Sequence, residues 1–307
     1  VNVILITQAS SEHSISFVVS FDDEKKAKTA IYEEFDFEIN SNKIDEPQFD
    51  NELSILSVVG ENMKKTRGIS GKFFSALGKN GINIIAIAQG SSELNISAVI
   101  ERNELSKALN VVHDSLLLSP VKTFNVMFAG TGNIGKELFR QLEREQRNFE
   151  ENHQIKINVV GITNSREMKI FDNPESDFDL NNNFNTNLQK SDLKEFISLI
   201  SSKNLPNLVF VDNTSSEDVV AEYSLLFNNN ISIVTCNKKG NSSSYEQYSK
   251  FKRLAKKNNV SFLYETNVGA GLPIIKTLND LWISGDEILK IEAILSGTIS
   301  YIFNNYV

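Results

Sequence analysis

Short apolar runs alternate with helically spaced apolar residues along the first third of the chain. Residues 52–60 are an apolar run, which predicts a strand, and residues 64–81 carry apolar side chains at helical spacing. Two further runs, at 82–90 and 94–102, predict strands, and residues 103–117 predict a second helix. This β-α-β-β-α order is typical of a ferredoxin-like module.

Part of this module occurs twice. The stretch ITQASSEHSIS at residues 6–16 returns as IAQGSSELNIS at residues 87–97, with eight identities over fourteen aligned positions. The first copy supplies two strands, a helix at 23–35 and a short strand at 37–39. By the spacing of the second copy, its opening strand and helix would precede Val1. We therefore expect the first copy to be truncated at its N-terminus.

The rest of the chain has a different order of elements. Residues 1–118 hold the paired modules, residues 119–123 form a linker, and strands then alternate with helices over residues 124–286. This alternation predicts an α/β domain with a doubly wound parallel sheet of Rossmann type. The Asn- and Asp-rich residues 171–192 lack periodicity and predict a surface loop. Residues 287–307 are expected to begin a further, strand-rich domain.

Composition narrows the function mainly by exclusion. A net charge of −8 opposes a nucleic-acid surface, because such surfaces carry basic patches. No apolar run approaches the ~20 residues of a membrane helix, and the N-terminus lacks a leader pattern. We therefore expect a cytoplasmic protein without nucleic-acid or membrane partners. A single cysteine, Cys236, excludes a disulfide framework within the chain. Three scattered histidines, His13, His113 and His153, exclude a zinc cluster of standard Cys/His spacing.

A glycine motif marks the start of the second part. Residues 130–135 read GTGNIG, directly after a predicted strand and directly before a predicted helix. In that context the motif predicts a dinucleotide site, because glycines permit a tight turn and let backbone amides approach a pyrophosphate. A glycine turn without a ligand is the alternative. The expected cofactor contacts in this motif are Gly130, Gly132, Asn133, Ile134 and Gly135.

The end of the next predicted strand bears on the choice of dinucleotide. An NAD site usually has Asp or Glu there, whereas this chain has Thr163, Asn164, Ser165 and Arg166. Arg166 would meet the 2′-phosphate of NADP, which favours NADP and leaves NAD as the alternative. A solvated loop cation is the other interpretation of Arg166.

Five segments of the second part, taken in order, resemble homoserine dehydrogenase: GTGNIGKEL, VFVDNTSS, VTCNKKGNSSS, YETNVGAGLPII and ILSGTISYIFN. The repeated Q-x-S-S-E modules resemble the ACT regulatory domains of an aspartokinase. Over nearly its whole length the chain is thus similar to the bifunctional aspartokinase/homoserine dehydrogenase family. The resemblance implies NAD(P)H-dependent reduction of L-aspartate 4-semialdehyde to L-homoserine in threonine and methionine biosynthesis.

The resemblance further implies a homo-oligomer with feedback regulation by threonine through the ACT domains. The family's aspartokinase domain and the acidic loop and helix that complete catalysis are not found in these residues. The alternative function is therefore a non-catalytic segment that senses an amino acid and binds a dinucleotide without turnover.

Several site residues follow from the resemblance alone. In DNTSS, the family's strand-end loop lies along the nicotinamide ribose, which implies contacts from Asn213, Thr214 and Ser215. In TCNKK, Lys238 matches the family's active-site lysine and is also expected to contact the cofactor. A surface lysine beside Lys239 is the alternative for Lys238.

Two later segments carry expected ligand contacts. In ETNVGAG, the family places a monovalent cation such as sodium, which implies binding by Glu265 and the backbone of Val268 and Ala270. A helix-initiating loop is the other interpretation. In SGTISYIFN, Gly297 and Thr298 are expected to approach the substrate at the nicotinamide end.

The repeated module carries the expected effector contacts. Gln8 and Gln89 match the family's threonine-contacting glutamines. A glutamine amide offers both a donor and an acceptor to a small zwitterion. For the adjacent serines, a polar hairpin turn carried along by duplication is the favoured reading. The residues alone leave lysine and methionine open as effectors.

Overall fold

The structure, a computed structural model, describes residues 1–8, 14–60, 63, 66–90, 94–116, 121–172, 188–294 and 297–306. The chain divides into two compact units, Val1–Leu118 and Ser119–Val307. Hairpin modules form the first unit, and a seven-stranded sheet with helices forms the second. The predicted α/β fold class is confirmed. No helix among the described residues combines the length and apolar composition needed to cross a bilayer.

The first module is a hairpin followed by helices. Its elements are β1 (Val3–Gln8), β2 (Ile15–Val19), α1 (Glu24–Glu34) and α2 (Asp36–Asn40). The strand predicted at residues 37–39 is wrong, because these residues lie in α2. The Asn40 side chain donates to the Asp36 carboxylate one turn earlier, at 2.9 Å, which is a helical contact. Within the described residues, this segment has no neighbouring strand to pair with.

The second module has the β-α-β-β-α order that its periodicity predicts. Its strands form a three-stranded antiparallel sheet in the order β3-β5-β4, and its two helices pack against that sheet. Phe73 and Leu77, one helical turn apart, are fully buried against Ile100. The bounds of the elements are β3 (Leu53–Val59), α3 (Ile69–Lys79), β4 (Ala86–Gln89), β5 (Asn95–Glu101) and α4 (Leu105–Leu116).

The two hairpins share one register. Gln8 lies opposite Ile15 in the first hairpin, and Gln89 lies opposite Ile96 in the second. Each glutamine is the last residue of its strand. The repeated serines and His13, in the turns between these strands, lie outside the described residues. The equal register extends the sequence repeat to three dimensions.

The second unit contains a seven-stranded sheet in the order β12-β11-β10-β6-β7-β8-β9. Five strands are parallel, while β8 and β9 are antiparallel additions at one edge. The chain leaves β7 and re-enters β8 after three residues, too few for the crossover that a parallel strand needs. The strand bounds are β6 (Lys122–Ala129), β7 (Ile155–Thr163), β8 (Glu167–Ile170), β9 (Gln189–Lys190), β10 (Leu208–Asp212), β11 (Ser232–Thr235) and β12 (Phe262–Leu263).

Two segments expected to be irregular contain strand residues. Strand β6 begins at Lys122, inside the expected linker 119–123. Strand β9 lies inside the expected loop 171–192, of which residues 173–187 lie outside the described part. Both strands are placed by pairing with a neighbour distant in sequence, which a single-segment pattern does not reveal.

Helices cover both faces of this sheet. Successive side chains of the central strand β6 point to opposite faces, and each face has its own apolar core. Phe128 packs against Phe139 of α5, with ring centroids 4.6 Å apart, while Met127 belongs to the core below α6, α8 and α10. The helix bounds are α5 (Asn133–His153), α6 (Leu193–Ser202), α7 (Glu217–Ala221), α8 (Tyr223–Asn228), α9 (Lys239–Ser242), α10 (Tyr245–Lys257), α11 (Ile274–Ile283) and α12 (Gly297–Asn305).

The end of the chain differs from the prediction. Residues 287–307 are expected to be rich in strands, but no strand lies among the described residues of this segment, and residues 297–305 form α12. The apolar residues Ile299, Ile302 and Phe303 recur at intervals of three and four, which is helical spacing. Short apolar runs are ambiguous between helix and strand when their length alone is considered.

Candidate functional site

The glycine turn lies between the central strand β6 and the helix α5. Gly130 has a φ of +95°, which is the left-handed region that favours glycine, and its N–H donates to the Thr163 carbonyl at 2.8 Å. A Cβ at Gly130 would lie 2.9 Å from the Asn213 backbone, and one at Gly135 would collide with the Gly130 carbonyl. Both positions therefore require glycine for the turn to close.

The outer side of the same turn is open. A Cβ built on Gly132 meets nothing within 4 Å, in contrast to Gly130 and Gly135. No side chain caps α5, and its first turn contains no acidic residue. Free backbone N–H groups and the helix dipole therefore offer a seat for an anion. The five contacts predicted in this motif lie in the turn, at Gly130 and Gly132, or in the first turn of α5, at Asn133, Ile134 and Gly135.

The loop after β10 lies against the glycine turn. Asn213 donates its backbone N–H to the Ala129 carbonyl at 2.8 Å, which joins the ends of β10 and β6. Its side-chain Nδ2 is buried without a hydrogen-bond partner among the described residues, and a Cβ at Gly135 would lie 3.7 Å from it. Leaving a buried donor unpaired costs ~1–3 kcal/mol. An acceptor on a bound dinucleotide would remove that cost, so the residues present fit such a cofactor.

The end of β7 presents no carboxylate to the turn. Asn164 accepts from the backbone N–H groups of Arg166 and Glu167, at 2.8 and 2.9 Å, and its Nδ2 lies 3.4 Å from the Thr131 hydroxyl. This arrangement fixes the backbone of the three residues between β7 and β8. Arg166 is exposed and forms no ion pair with any residue that the structure describes.

The two adjacent lysines after β11 differ in their contacts. Lys239 Nζ lies 3.0 Å from the Glu217 carboxylate, which is an exposed ion pair. Lys238 is exposed, and within the described part of the chain its ammonium has no ion-pair partner. The amine of Lys238 is therefore free for a ligand, whereas that of Lys239 is engaged. The assignment of Lys238 as the active-site lysine stays a prediction.

The expected cation loop uses its carboxylate for another purpose. Glu265 accepts from the backbone N–H groups of Ile275 and Lys276, at 2.8 and 2.9 Å, and so caps the start of α11. Ala270 has a φ of +54°. Each Glu265 oxygen keeps a further lone pair, so a cation held by Glu265 and by backbone carbonyls such as that of Val268 stays a prediction. The described residues contain no group of three or more His, Cys, Asp and Glu side chains arranged for a metal ion.

The remaining predicted contacts belong to other elements of the chain. Gly297 and Thr298 form the first turn of α12 and are exposed, and no hydrogen bond among the described residues joins them to the glycine turn. Gln8 and Gln89 belong to the first unit, where both are exposed at the ends of their strands and β1 runs beside β4. The contacts at 130–135, Asn213 to Ser215 and Lys238 thus lie on neighbouring loops at one edge of the sheet, whereas the approach of Gly297 and Thr298 to that edge stays a prediction.

Sequence reasoning missed three buried polar residues beneath these loops. Asp212, Tyr223 and Asn237 are buried and joined by hydrogen bonds. An available signal was the Asp that closes the apolar strand LVFVD, because an acidic residue seldom ends a strand buried on both faces without a partner.

Comparisons with known proteins agree with this architecture. A family model described as ACT domain matches residues 1–35 and 56–116, one described as homoserine dehydrogenase, NAD binding domain, matches 130–265, and one described as homoserine dehydrogenase matches 273–307. The first agrees with the repeated hairpins, and the second covers the glycine turn and the loops after β10 and β11.

Curated relatives match the chain from end to end. A bifunctional aspartokinase/homoserine dehydrogenase of Haemophilus influenzae is 40% identical over 303 residues, covering 99% of this chain and 37% of the relative. A chloroplastic one of Arabidopsis thaliana is 40% identical over 310 residues, covering 100% of this chain and 34% of the relative. The chain therefore spans little more than a third of the length of these relatives.

A solved structure also matches. The crystal structure of a Candida auris protein of unknown function superimposes with a TM-score of 0.52 at 34% identity, covering 60% of this chain and 50% of that one.

Proposed function

Because the chain belongs to the bifunctional aspartokinase/homoserine dehydrogenase family, we propose that the whole protein reduces L-aspartate 4-semialdehyde to L-homoserine with NADPH. The observation that carries this proposal is the open glycine turn, with Lys238 on a neighbouring loop at the same edge of the sheet. Ligands of open α/β sheets bind at this carboxyl edge. When bound, the nicotinamide cofactor supplies a hydride.

The chain's own residues would bind and orient that cofactor. Backbone N–H groups at the start of α5 would hold the diphosphate. Arg166 would pair with the 2′-phosphate, with NAD as the alternative cofactor, while Asn213, Thr214 and Ser215 would lie along the nicotinamide ribose. The buried Nδ2 of Asn213 supports this placement, since it needs an acceptor.

Lys238 would act on the substrate. Its ammonium would stabilise the negative charge that develops on the aldehyde oxygen as the alkoxide forms. Gly297 and Thr298 would approach the substrate at the nicotinamide end. The backbone carbonyls of Val268 and Ala270, with Glu265, would hold a monovalent cation such as sodium.

The first unit would sense an amino acid. The equal register of Gln8 and Gln89 supports two equivalent polar sites, and threonine is the effector we propose. An effector shifts an equilibrium only through its differential affinity for two states, so threonine would bind one arrangement of the modules better. We propose a homo-oligomeric, cytoplasmic protein.

The matched lysine variants test the proposed catalytic role. In the whole protein, Lys238→Ala should lower the rate of NADPH oxidation with aspartate semialdehyde by about 10²-fold or more, because one preorganised charge is lost. Its NADPH affinity should change much less. Lys239→Ala, which removes only an exposed ion pair, should retain the rate. Equal rates for the two variants would remove Lys238 from the mechanism.

A second candidate function concerns the 307 residues by themselves. Through the open glycine turn and the exposed Gln8 and Gln89, these residues would bind a dinucleotide and an amino acid without turnover. The same assay on this chain decides between the two candidates, since turnover by these residues alone would exclude the second.

A further inference from the structure

A buried carboxylate lies directly beneath the proposed cofactor cleft. Asp212 is the last residue of β10, and its side chain is fully buried. One carboxylate oxygen accepts from the backbone N–H of Thr214 at 2.8 Å. The other accepts from the Tyr223 hydroxyl at 2.7 Å and from the Asn237 side-chain amide at 3.0 Å. Among the residues that the structure describes, no Lys or Arg forms an ion pair with it.

Asn237 extends this network to both sides of Lys238. Its backbone N–H donates to the Thr235 hydroxyl at 2.9 Å, and its Oδ1 accepts from the Lys239 N–H at 3.1 Å. Its Nδ2 also donates to the Ser216 carbonyl at 2.9 Å. The Asp212 carboxylate therefore joins the loop after β10, which carries the proposed ribose contacts, to the loop after β11, which carries Lys238.

Tyr223 closes the network from below. Its hydroxyl lies 2.9 Å from the Thr235 hydroxyl, and its ring packs against Phe251 and Phe262. Burial, followed by the negative charge of Asp212, raises the pKa of Tyr223 well above its usual range, so the phenol stays a neutral donor. A Cβ at Gly240 would lie 3.1 Å from this ring, which shows how closely α9 passes over it.

A charge in this position is costly for folding alone. Burying a carboxylate among neutral donors is less favourable than burying apolar groups of similar volume, or an amide whose donors and acceptors are matched. At the opposite edge of the same sheet, neutral side-chain amides join neighbouring segments of the backbone. There Asn125 donates to the Pro206 carbonyl at 2.7 Å, and Asn207 donates to the Thr123 carbonyl at 2.9 Å. Among the residues that the structure describes, Asp212 is the buried acidic residue of this sheet, and it lies at the edge where the ligands are proposed to bind.

We propose that Asp212 is a positioning residue, which holds the Lys238 loop and the ribose-contacting loop in register across the cleft. This inference rests on the proposed function. An ionised carboxylate accepts from all three donors at once, whereas an amide at the same position would present its own N–H groups to Tyr223 or Asn237. Asp212→Asn would therefore break the link between the loops without changing the side-chain volume.

The test uses the whole protein and expresses kcat per NADPH-binding site, determined by titration, so that loss of folded protein does not enter. Asp212→Asn should lower kcat at least tenfold while the KM for NADPH changes less than threefold. Tyr223→Phe, which removes one donor and keeps the ring, should lower kcat two- to fivefold. If Asp212→Asn fails to fold, the kcat of Tyr223→Phe alone decides whether Asp212 has the positioning role. An unchanged kcat in the folded variant would overturn the proposal.

The matched control lies at the opposite edge of the sheet. Asn125→Asp exchanges an amide for a carboxylate of the same shape and disturbs a buried polar pair outside the cleft. Its stability should fall, but its kcat per site should stay within twofold of the unaltered protein. A tenfold drop in this control would show that any buried polar disturbance slows the enzyme, which would overturn the positioning role.

A failure of the proposed function is recognised separately. If the unaltered whole protein binds NADPH but does not turn over aspartate semialdehyde, the proposed function fails. The positioning role is then decided by hydrogen exchange in the 307-residue chain. Asp212→Asn should speed hydrogen exchange of the backbone N–H groups of Thr214 and Lys239 at least tenfold. The exchange rate of the Asn125 backbone N–H should stay unchanged. Equal exchange rates at Thr214 and Lys239 would overturn it.

Discussion

The two edges of the seven-stranded sheet treat buried polar groups differently. At the amino edge, the side-chain amides of Asn125 and Asn207 are paired with backbone carbonyls of the chain itself. At the carboxyl edge, Asn213, Asn241 and Asn267 each have a buried side-chain atom without a hydrogen-bond partner among the described residues. These three residues follow β10, β11 and β12, and they are the unpaired cases described in this unit.

This difference separates folding from ligand binding. Nearly all buried polar groups of native proteins are paired, so unpaired groups clustered at one edge need an explanation. The glycine turn opens at that same edge, and the open side of Gly132 accommodates a ligand. We infer that the paired amides at the amino edge stabilise the fold, whereas the unpaired atoms of Asn213, Asn241 and Asn267 at the carboxyl edge await a molecule that completes their hydrogen bonds.

The largest effect is expected from Gly135→Ala. The added Cβ would collide with the Gly130 carbonyl, so the start of α5 must move away from the turn. We expect NADPH affinity, measured by calorimetry, to fall about 100-fold or more, with a stability loss of ~1–3 kcal/mol for an overpacked site.

Gly132→Ala is the matched control for this variant. Its Cβ meets no protein atom, so its melting temperature should stay close to that of the unaltered chain while NADPH affinity still falls. If Gly135→Ala binds NADPH normally, the turn is not the diphosphate seat.

A second variant tests the amino edge. Asn125→Ala removes the buried donor to the part-buried Pro206 carbonyl, which should lower the free energy of unfolding by about 2 kcal/mol. Urea denaturation measures that loss. NADPH affinity of the folded protein should not change, and a weakened affinity would contradict the separation between the two edges.

The smallest of these effects concerns the cofactor's phosphate. Arg166→Ala should weaken NADPH binding about tenfold, because one charge-assisted hydrogen bond is lost at an exposed position. Binding of NADH, which lacks the 2′-phosphate, should be unchanged in the same titration. An equal loss for both dinucleotides would place Arg166 elsewhere on the cofactor or in the fold.

Local patterns in the sequence predicted much of this architecture. The glycine motif predicted the turn between β6 and α5, and the eight identities of the repeat predicted two hairpins whose registers agree. Both are local features: a turn needs glycine where φ is positive, and hairpin register follows from a short stretch of chain.

The missed features depend on distant partners. Helices α2 and α12 were predicted as strands, because short apolar runs do not reveal whether a neighbouring strand is present to pair with. The Asp212 network joins residues 11 and 25 positions apart, across three elements. The capping of α11 by both Glu265 oxygens was not foreseen, while the cation proposed for Glu265 stays a prediction. These contacts join residues that are distant in the sequence, so tertiary packing determines them and a local pattern does not reveal them.

A crystal structure of the chain with NADPH tests the central claim most directly. We predict that the diphosphate oxygens lie within hydrogen-bond distance of the backbone N–H groups at the start of α5, with Asn213 Nδ2 bonded to the cofactor. A diphosphate bound away from residues 130–135, with Asn213 Nδ2 still unpaired, would contradict the claim that this edge of the sheet is the cofactor site.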